Sequence, residues 1–212
     1  MFNALLKFSP TKIIAALTQK YGMPFTFVEF SGGSLGHPSS RARVSCEACP
    51  KARLYAELVE ENGESVCRDN VMAYMLQGDV QAALQGAVRN VYPDAKCLAL
   101  PANQPQPAWF SPAMGLEAYL RDSGADIRGI FFTAQPYTAQ ERADAAERLR
   151  HTLRERGIMA ALTIVYVTSA DLEKVEPEEY LKYLRPGMWK AVGEFRLEDD
   201  FSLRTCQWRE QS

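Results

Sequence analysis

The stretch DIRGIFFTAQPYTAQERADAAERLRHTLRERGIMAALTIVYVT, residues 126–168, decides the fold class. Asp126 to Thr133 reads as a strand. Thr138-Ala139-Gln140-Glu141 is then a capping box, in which the Thr hydroxyl and the Glu carboxylate satisfy free amides reciprocally at a helix start. Ala143, Ala146, Leu149 and Leu153 share one face of that helix, and Gly157 ends it. Ile158 to Thr168 is the most β-like run in the chain. Strand, helix and strand with short links predict a parallel, right-handed crossover.

Toward the C-terminus a further helix carries Pro177 in its first turn. Met188 to Leu197 and Phe201 to Trp208 then form a hairpin about Asp199-Asp200. Toward the N-terminus lie a short helix, Leu116 to Arg121, and a short strand, Cys97 to Leu100. Before these, Met72, Leu76, Val80, Leu84, Ala87 and Val91 line one stripe, which predicts a single long helix over 69–91 packed against a sheet. Gly78 and Gly86 each cost about 1 kcal/mol inside a helix, and close approach to a neighbouring element would explain them.

The first third is β-rich. Ser9 and Pro10 open a helix as N-cap and first residue, Ile13, Ile14, Leu17 and Tyr21 share a face, and Gly22 closes it. Strands follow at Phe25 to Phe30, Arg41 to Glu47 and Ala52 to Val59. In the third, Ala52, Leu54, Ala56 and Leu58 alternate with Arg53, Tyr55 and Glu57, the period of a half-buried strand. Glu61-Asn62-Gly63 closes it with turn chemistry. The sum is an α+β fold, a mixed β-sheet of six or more strands with helices packed mainly on one face. Residues 1–212 are read as a single α+β domain, in which a Pro-rich loop at 101–115 joins two halves. Trp109 and Phe110 lie inside that loop, and a solvated linker rarely carries both.

Composition narrows the function classes. A 23.7 kDa chain of 212 residues buries about 70% of its unfolded surface on folding, ample for a self-supporting core. Residues 1–106 carry 10 Lys and Arg against 9 Asp and Glu, and residues 107–212 carry 14 against 17. Neither half has the cationic surplus that phosphate neutralisation requires, so nucleic acid is not expected as a partner. No apolar run reaches the 18–20 or so residues that span a bilayer, so no transmembrane segment is expected. Residues 1–8 are apolar but short, and read as a packed helix or the stump of an anchor. Five cysteines without disulfide-scaffold density point to reduced thiols in a cytoplasmic protein.

Three stretches carry a resemblance: Gln19-Lys20-Tyr21-Gly22 before its strand, Tyr55 to Asn70 leading into a helix, and Trp189-Lys190-Ala191-Val192-Gly193-Glu194-Phe195. Together they resemble a loose group of uncharacterised proteins from Gram-positive bacteria, mostly over the first hundred residues. Many members of that group carry an N-terminal membrane anchor. The resemblance implies an architecture and supplies no functional residue.

Candidate chemistry is sparse. Gly32-Gly33-Ser34-Leu35-Gly36 matches the G-x-S-x-G pattern of a hydrolase elbow, with Ser34 as nucleophile, but His37-Pro38-Ser39-Ser40 follows where a helix must start. The same loop, with Ser34, His37 and the adjacent Arg41, is a candidate ligand site, as are Trp109 and Phe110. Cys46-Glu47-Ala48-Cys49 is a lone C-x-x-C, the spacing of redox and metal sites. No second pair completes a zinc set, so no metal and no cofactor are expected. If the strand ran straight through position 49 the two thiols would face opposite ways; a turn at Cys49-Pro50 would bring them together. The sequence names no function. It favours a non-enzymatic binding or protein-interaction domain with a protein partner. The alternative is a thiol-redox or metal-binding protein using Cys46 and Cys49, followed by a serine hydrolase using Ser34.

Overall fold

The computed structural model describes residues 9–30, 41–135 and 138–210. The glycine-rich segment with Ser34 and His37 lies outside them, as do residues 1–8. The described chain gathers into two compact units. One comprises the chain up to Leu76 together with Ala102–Gly115; the other comprises Gln77–Pro101 and the chain from Leu116 onward.

In the first unit, helix α1 (Pro10–Tyr21) starts where the cap chemistry places it. Ser9 accepts a hydrogen bond from the Lys12 amide, and Gly22 takes the left-handed conformation, φ +66°, that ends the helix. Ile13 and Leu17 face a four-stranded antiparallel sheet in chain order: β1 (Thr26–Phe30), β2 (Arg41–Ser45), β3 (Leu54–Glu61) and β4 (Glu64–Asp69). Leu54, Ala56 and Leu58 point inward with Ala42 and Val44, as the alternation predicts. β4 is a strand that the sequence pattern does not announce. Asn62 and Gly63, φ +53° and +83°, form the two-residue turn that joins it to β3, because both positions need the left-handed region.

The expected helix over 69–91 is two helices, α2 (Val71–Met75) and α3 (Gln77–Arg89). Its hydrophobic stripe serves two cores: Val71 and Met72 are buried in the first unit, and Val80, Leu84, Ala87 and Val88 in the second. Gly78, just past the break, weakens the helix by about 1 kcal/mol relative to Ala and lowers the cost of interrupting it there.

The second unit is built on a five-stranded mixed sheet, β5 (Lys96–Leu100), β6 (Ile127–Thr133), β7 (Ala160–Tyr166), β8 (Ala191–Leu197) and β9 (Leu203–Glu210), in that order. β6 and β7 are parallel and every other pair is antiparallel. Helix α5 (Ala139–Glu155) connects the parallel pair, with the capping box formed: Thr138 Oγ1 accepts from the Glu141 amide at 3.2 Å, and Glu141 Oε2 accepts from the Thr138 amide at 2.7 Å. Helix α4 (Leu116–Arg121) precedes β6. On one sheet face, Ile130, Phe132, Val165 and Val192 pack with Leu172 of α6 (Ser169–Lys174), Val175, and Tyr183 of α7 (Tyr180–Tyr183). Their alternates on β6, Gly129 and Phe131, face Leu84 of α3 and Tyr92. The fold is α+β and its larger sheet is mixed, as expected. Its strands are shared between two sheets, four and five among the described residues, where one sheet of six or more was expected. The longest helices, α3 and α5, contact one another, and the short α6 and α7 cover the opposite face.

Candidate functional site

The Pro-rich loop at 102–115 is fastened to its unit at four points. Asn70, fully buried, donates from Nδ2 to the Ala102 carbonyl at 2.9 Å and to the Arg53 carbonyl at 3.1 Å, while its Oδ1 accepts from the Tyr55 amide at 2.7 Å. The Gln106 amide donates to the Asp69 carbonyl at 2.8 Å, the backbone bridge between loop and β4. Arg41 donates to Gln104 Oε1, lies 3.7 Å from Glu57 and sits over the Tyr55 ring. Phe110, 1% exposed, is buried at a turn closed by its own amide on the Pro107 carbonyl. The next side chain along, Trp109, is 61% exposed, with its ring edge-on to Phe110 at 6.1 Å. The pair expected from the sequence is therefore an anchor and a displayed ring. Arg41 serves the loop, its charge already balanced by Glu57.

Beneath the loop lies a buried polar cluster that the sequence reading missed. Asp69, 2% exposed, accepts from Lys20 Nζ at 2.7 Å, Tyr21 Oη at 2.6 Å and the Val71 amide at 2.9 Å. Burial first, and then the adjacent carboxylate, push the Tyr21 phenol above its ordinary range. The side-chain donors to Asp69 lie some fifty residues from it in sequence; the only local signal is a Lys-Tyr pair ending an amphipathic helix.

Cys46 and Cys49 come together. The Cys49 amide donates to the Cys46 carbonyl at 3.3 Å and the Ala52 amide to the Cys49 carbonyl at 3.1 Å, so two successive turns follow β2. Cys46 is buried and Cys49 half-buried. Burial, and then contact with the Cys46 thiol, raise the Cys49 thiol above its ordinary value. Among the described residues no group of three or more His, Cys, Asp and Glu side chains is placed to hold a metal ion. His151 is an exposed helix residue whose Nε2 lies 3.1 Å from Glu155.

The second unit has a cleft of about 270 Å³ at one end of its sheet, lined by Ser123, Asp126, Met159, Arg196, Asp199 and Arg204 among others. Arg204 pairs with Glu198 at 3.3 Å and Arg128 with Asp126, so most of its charge is answered within the protein. No sequence motif marks it.

Two further thiols, half-buried Cys67 and buried Cys97, make stability fall at alkaline pH. Burial holds Cys67 and Cys97 up to about 12, with the Asp69 carboxylate adding to the effect at Cys67. In the unfolded chain both ionise near 9. Their contribution is complete below pH 9 and is lost as pH climbs toward 12, because the folded state then holds protons that the unfolded state has released. Urea unfolding at pH 10.5 is expected to show about 1–2 kcal/mol less stability per thiol than at pH 7.5. A Cys67→Ala, Cys97→Ala double variant should flatten that decline; an unchanged decline would contradict the assignment.

No family model matches the sequence, and no curated protein matches it. Among solved structures, the chain is similar to a DUF5037 family protein from Ruminococcus gnavus, at 13% identity and a TM-score of 0.40, over 92% of this chain and 94% of that one. No residue role passes across a likeness of that size. Among the described residues no helix is long and apolar enough to cross a membrane.

Proposed function

We propose that the chain is a non-enzymatic binding domain that engages a protein partner through Trp109. The observation that carries the reading is the contrast at 109–110: a ring 61% exposed beside one 1% exposed, on a loop tied down by Asn70, Asp69, Arg41 and Phe110. Trp is a frequent source of binding energy because it brings large, stiff contact area, and a backbone already ordered loses little entropy on association. In this reading Arg41 and Phe110 position the ring, and residues 31–40 remain a second candidate surface through Ser34 and His37. The balanced charge favours a protein over nucleic acid as the partner. The free thiols of Cys46, Cys49, Cys67 and Cys97 support a cytoplasmic setting. One α+β domain whose halves are joined through 101–115, related to uncharacterised Gram-positive proteins, completes the proposal.

A displayed library of random peptides, selected on the full chain, tests it. Enriched peptides are expected to bind at least about 30-fold more weakly to Trp109→Ala, the loss of a 2 kcal/mol anchor. The variant should unfold within about 0.5 kcal/mol of the parent, since an exposed ring supports little of the core. Peptides that bind both proteins alike would remove Trp109 from the site.

A further inference from the structure

The C-x-x-C turn is a second chemical feature of the first unit, independent of the Trp109 reading. A hydrogen-bonded four-residue turn holds its first and last Cα atoms within about 7 Å, and a disulfide needs about 4.4–6.8 Å. The turn from Cys46 to Cys49, closed by an amide-to-carbonyl bond of 3.3 Å, brings the two backbones close to that range, and the following turn to Ala52 holds the second cysteine. The Cys46 thiol is near enough to help raise the Cys49 thiol above its ordinary value. Their surroundings differ in a way that assigns roles. Glu47, Ala48, Pro50 and Lys51 at the tip are exposed and Cys49 is half-exposed, whereas Cys46 is in the core with Val44 and Leu54. A reagent from solvent reaches Cys49 first.

We infer that Cys46 and Cys49 form a reversible dithiol–disulfide site that exchanges with small disulfides of the glutathione class. In the first step the Cys49 thiolate attacks one sulfur of the small disulfide, forming a mixed disulfide and expelling one small thiolate, which takes a proton from water. In the second, Cys46 gives its proton to solvent and its thiolate attacks the Cys49 sulfur, expelling the second small thiol. The protein loses two electrons and two protons, and one small disulfide becomes two small thiols. Burial holds the thiols of Cys67 and Cys97 up to about 12, which leaves each a poor nucleophile at neutral pH. Burial and the Cys46 thiol both hold the Cys49 thiol up, so the turn exchanges no faster than an ordinary thiol and acts as a responsive site rather than an oxidoreductase.

Full-length protein is equilibrated with glutathione disulfide at neutral pH, quenched with acid, alkylated in denaturant and mapped by peptide mass spectrometry. The expected product is a Cys46–Cys49 cross-link in most chains, with two glutathione molecules released per chain and full reversal by excess reduced glutathione. In Cys46→Ala, glutathione is expected to remain attached at Cys49, at least about 10-fold more than in the parent, because the resolving thiol is gone. Because Cys46 is buried, its substitution is checked by circular dichroism, and the parent map stands without it. A parent protein that keeps all its thiols alkylatable, or that accumulates stable glutathione on Cys49 without closing the ring, would overturn the inference.

Discussion

Asp69→Ala is expected to destabilise the protein by about 3–5 kcal/mol, a large part of the total stability of a chain this size. The carboxylate is nearly inaccessible and receives three donors, from Lys20, Tyr21 and the Val71 amide. Its removal leaves the Lys20 ammonium, itself mostly buried, without its anion, and the Tyr21 hydroxyl without its acceptor. Breaking one side of a buried pair costs far more than the pair contributes, because the surviving charge keeps its desolvation penalty. The same argument predicts partial rescue: Lys20→Met combined with Asp69→Leu should be closer to the parent than Asp69→Ala alone. Urea midpoints of the parent and the two variants decide it. A loss below about 1 kcal/mol for Asp69→Ala would mean that water replaces the carboxylate and that the cluster is not a closed one.

Gly129→Val is expected to cost about 3 kcal/mol or more, and Gly129→Ala about 1–3 kcal/mol. Gly129 sits in the middle of β6, between β5 and β7. A Cβ there would lie 2.5 Å from Leu84 Cδ2 and 2.9 Å from Leu162 Cδ2, with the Leu98 carbonyl at 3.4 Å. Both leucines are buried. Gly78 is the internal control. A methyl group there meets nothing within 4 Å, so Gly78→Ala in the first turn of α3 should gain up to about 1 kcal/mol. Thermal unfolding of the three variants reads both signs at once; a neutral Gly129→Val would show that α3 can ride away from the sheet.

These two glycines illustrate which parts of the fold were legible. The sequence points to close packing at α3, but at the helix glycines; Gly86 meets only an Arg156 guanidinium, and the tight approach belongs to the strand opposite. Caps were readable because their chemistry is local: Ser9, Gly22, Thr138 with Glu141, and Gly157 all act within four residues. β4 was hidden because Glu64-Ser65-Val66-Cys67-Arg68-Asp69 has little apolar alternation and its one fully buried residue is the charged Asp69. The split of the 69–91 stripe was hidden for another reason: periodicity tells which residues share a face, and nothing about how many cores that face meets. The site follows the same logic. That Trp109 and Phe110 matter follows from their place in a proline-rich stretch, but which is anchor and which is displayed depends on Asn70 and Asp69, more than thirty residues away. The turn that joins Cys46 to Cys49 was legible as a possibility in Pro50 alone.

The chain enters the first unit, leaves it at residue 77, returns at 102 and leaves again at 116. During synthesis, α3 and β5 therefore emerge before the segment that completes the first unit, and well before β6, the strand on which β5 pairs. At about 5–20 residues per second they wait a few seconds with an unpaired strand edge exposed. A fragment ended at residue 101 would make that wait permanent, so the connection that looks most like a domain boundary is the worst place to cut.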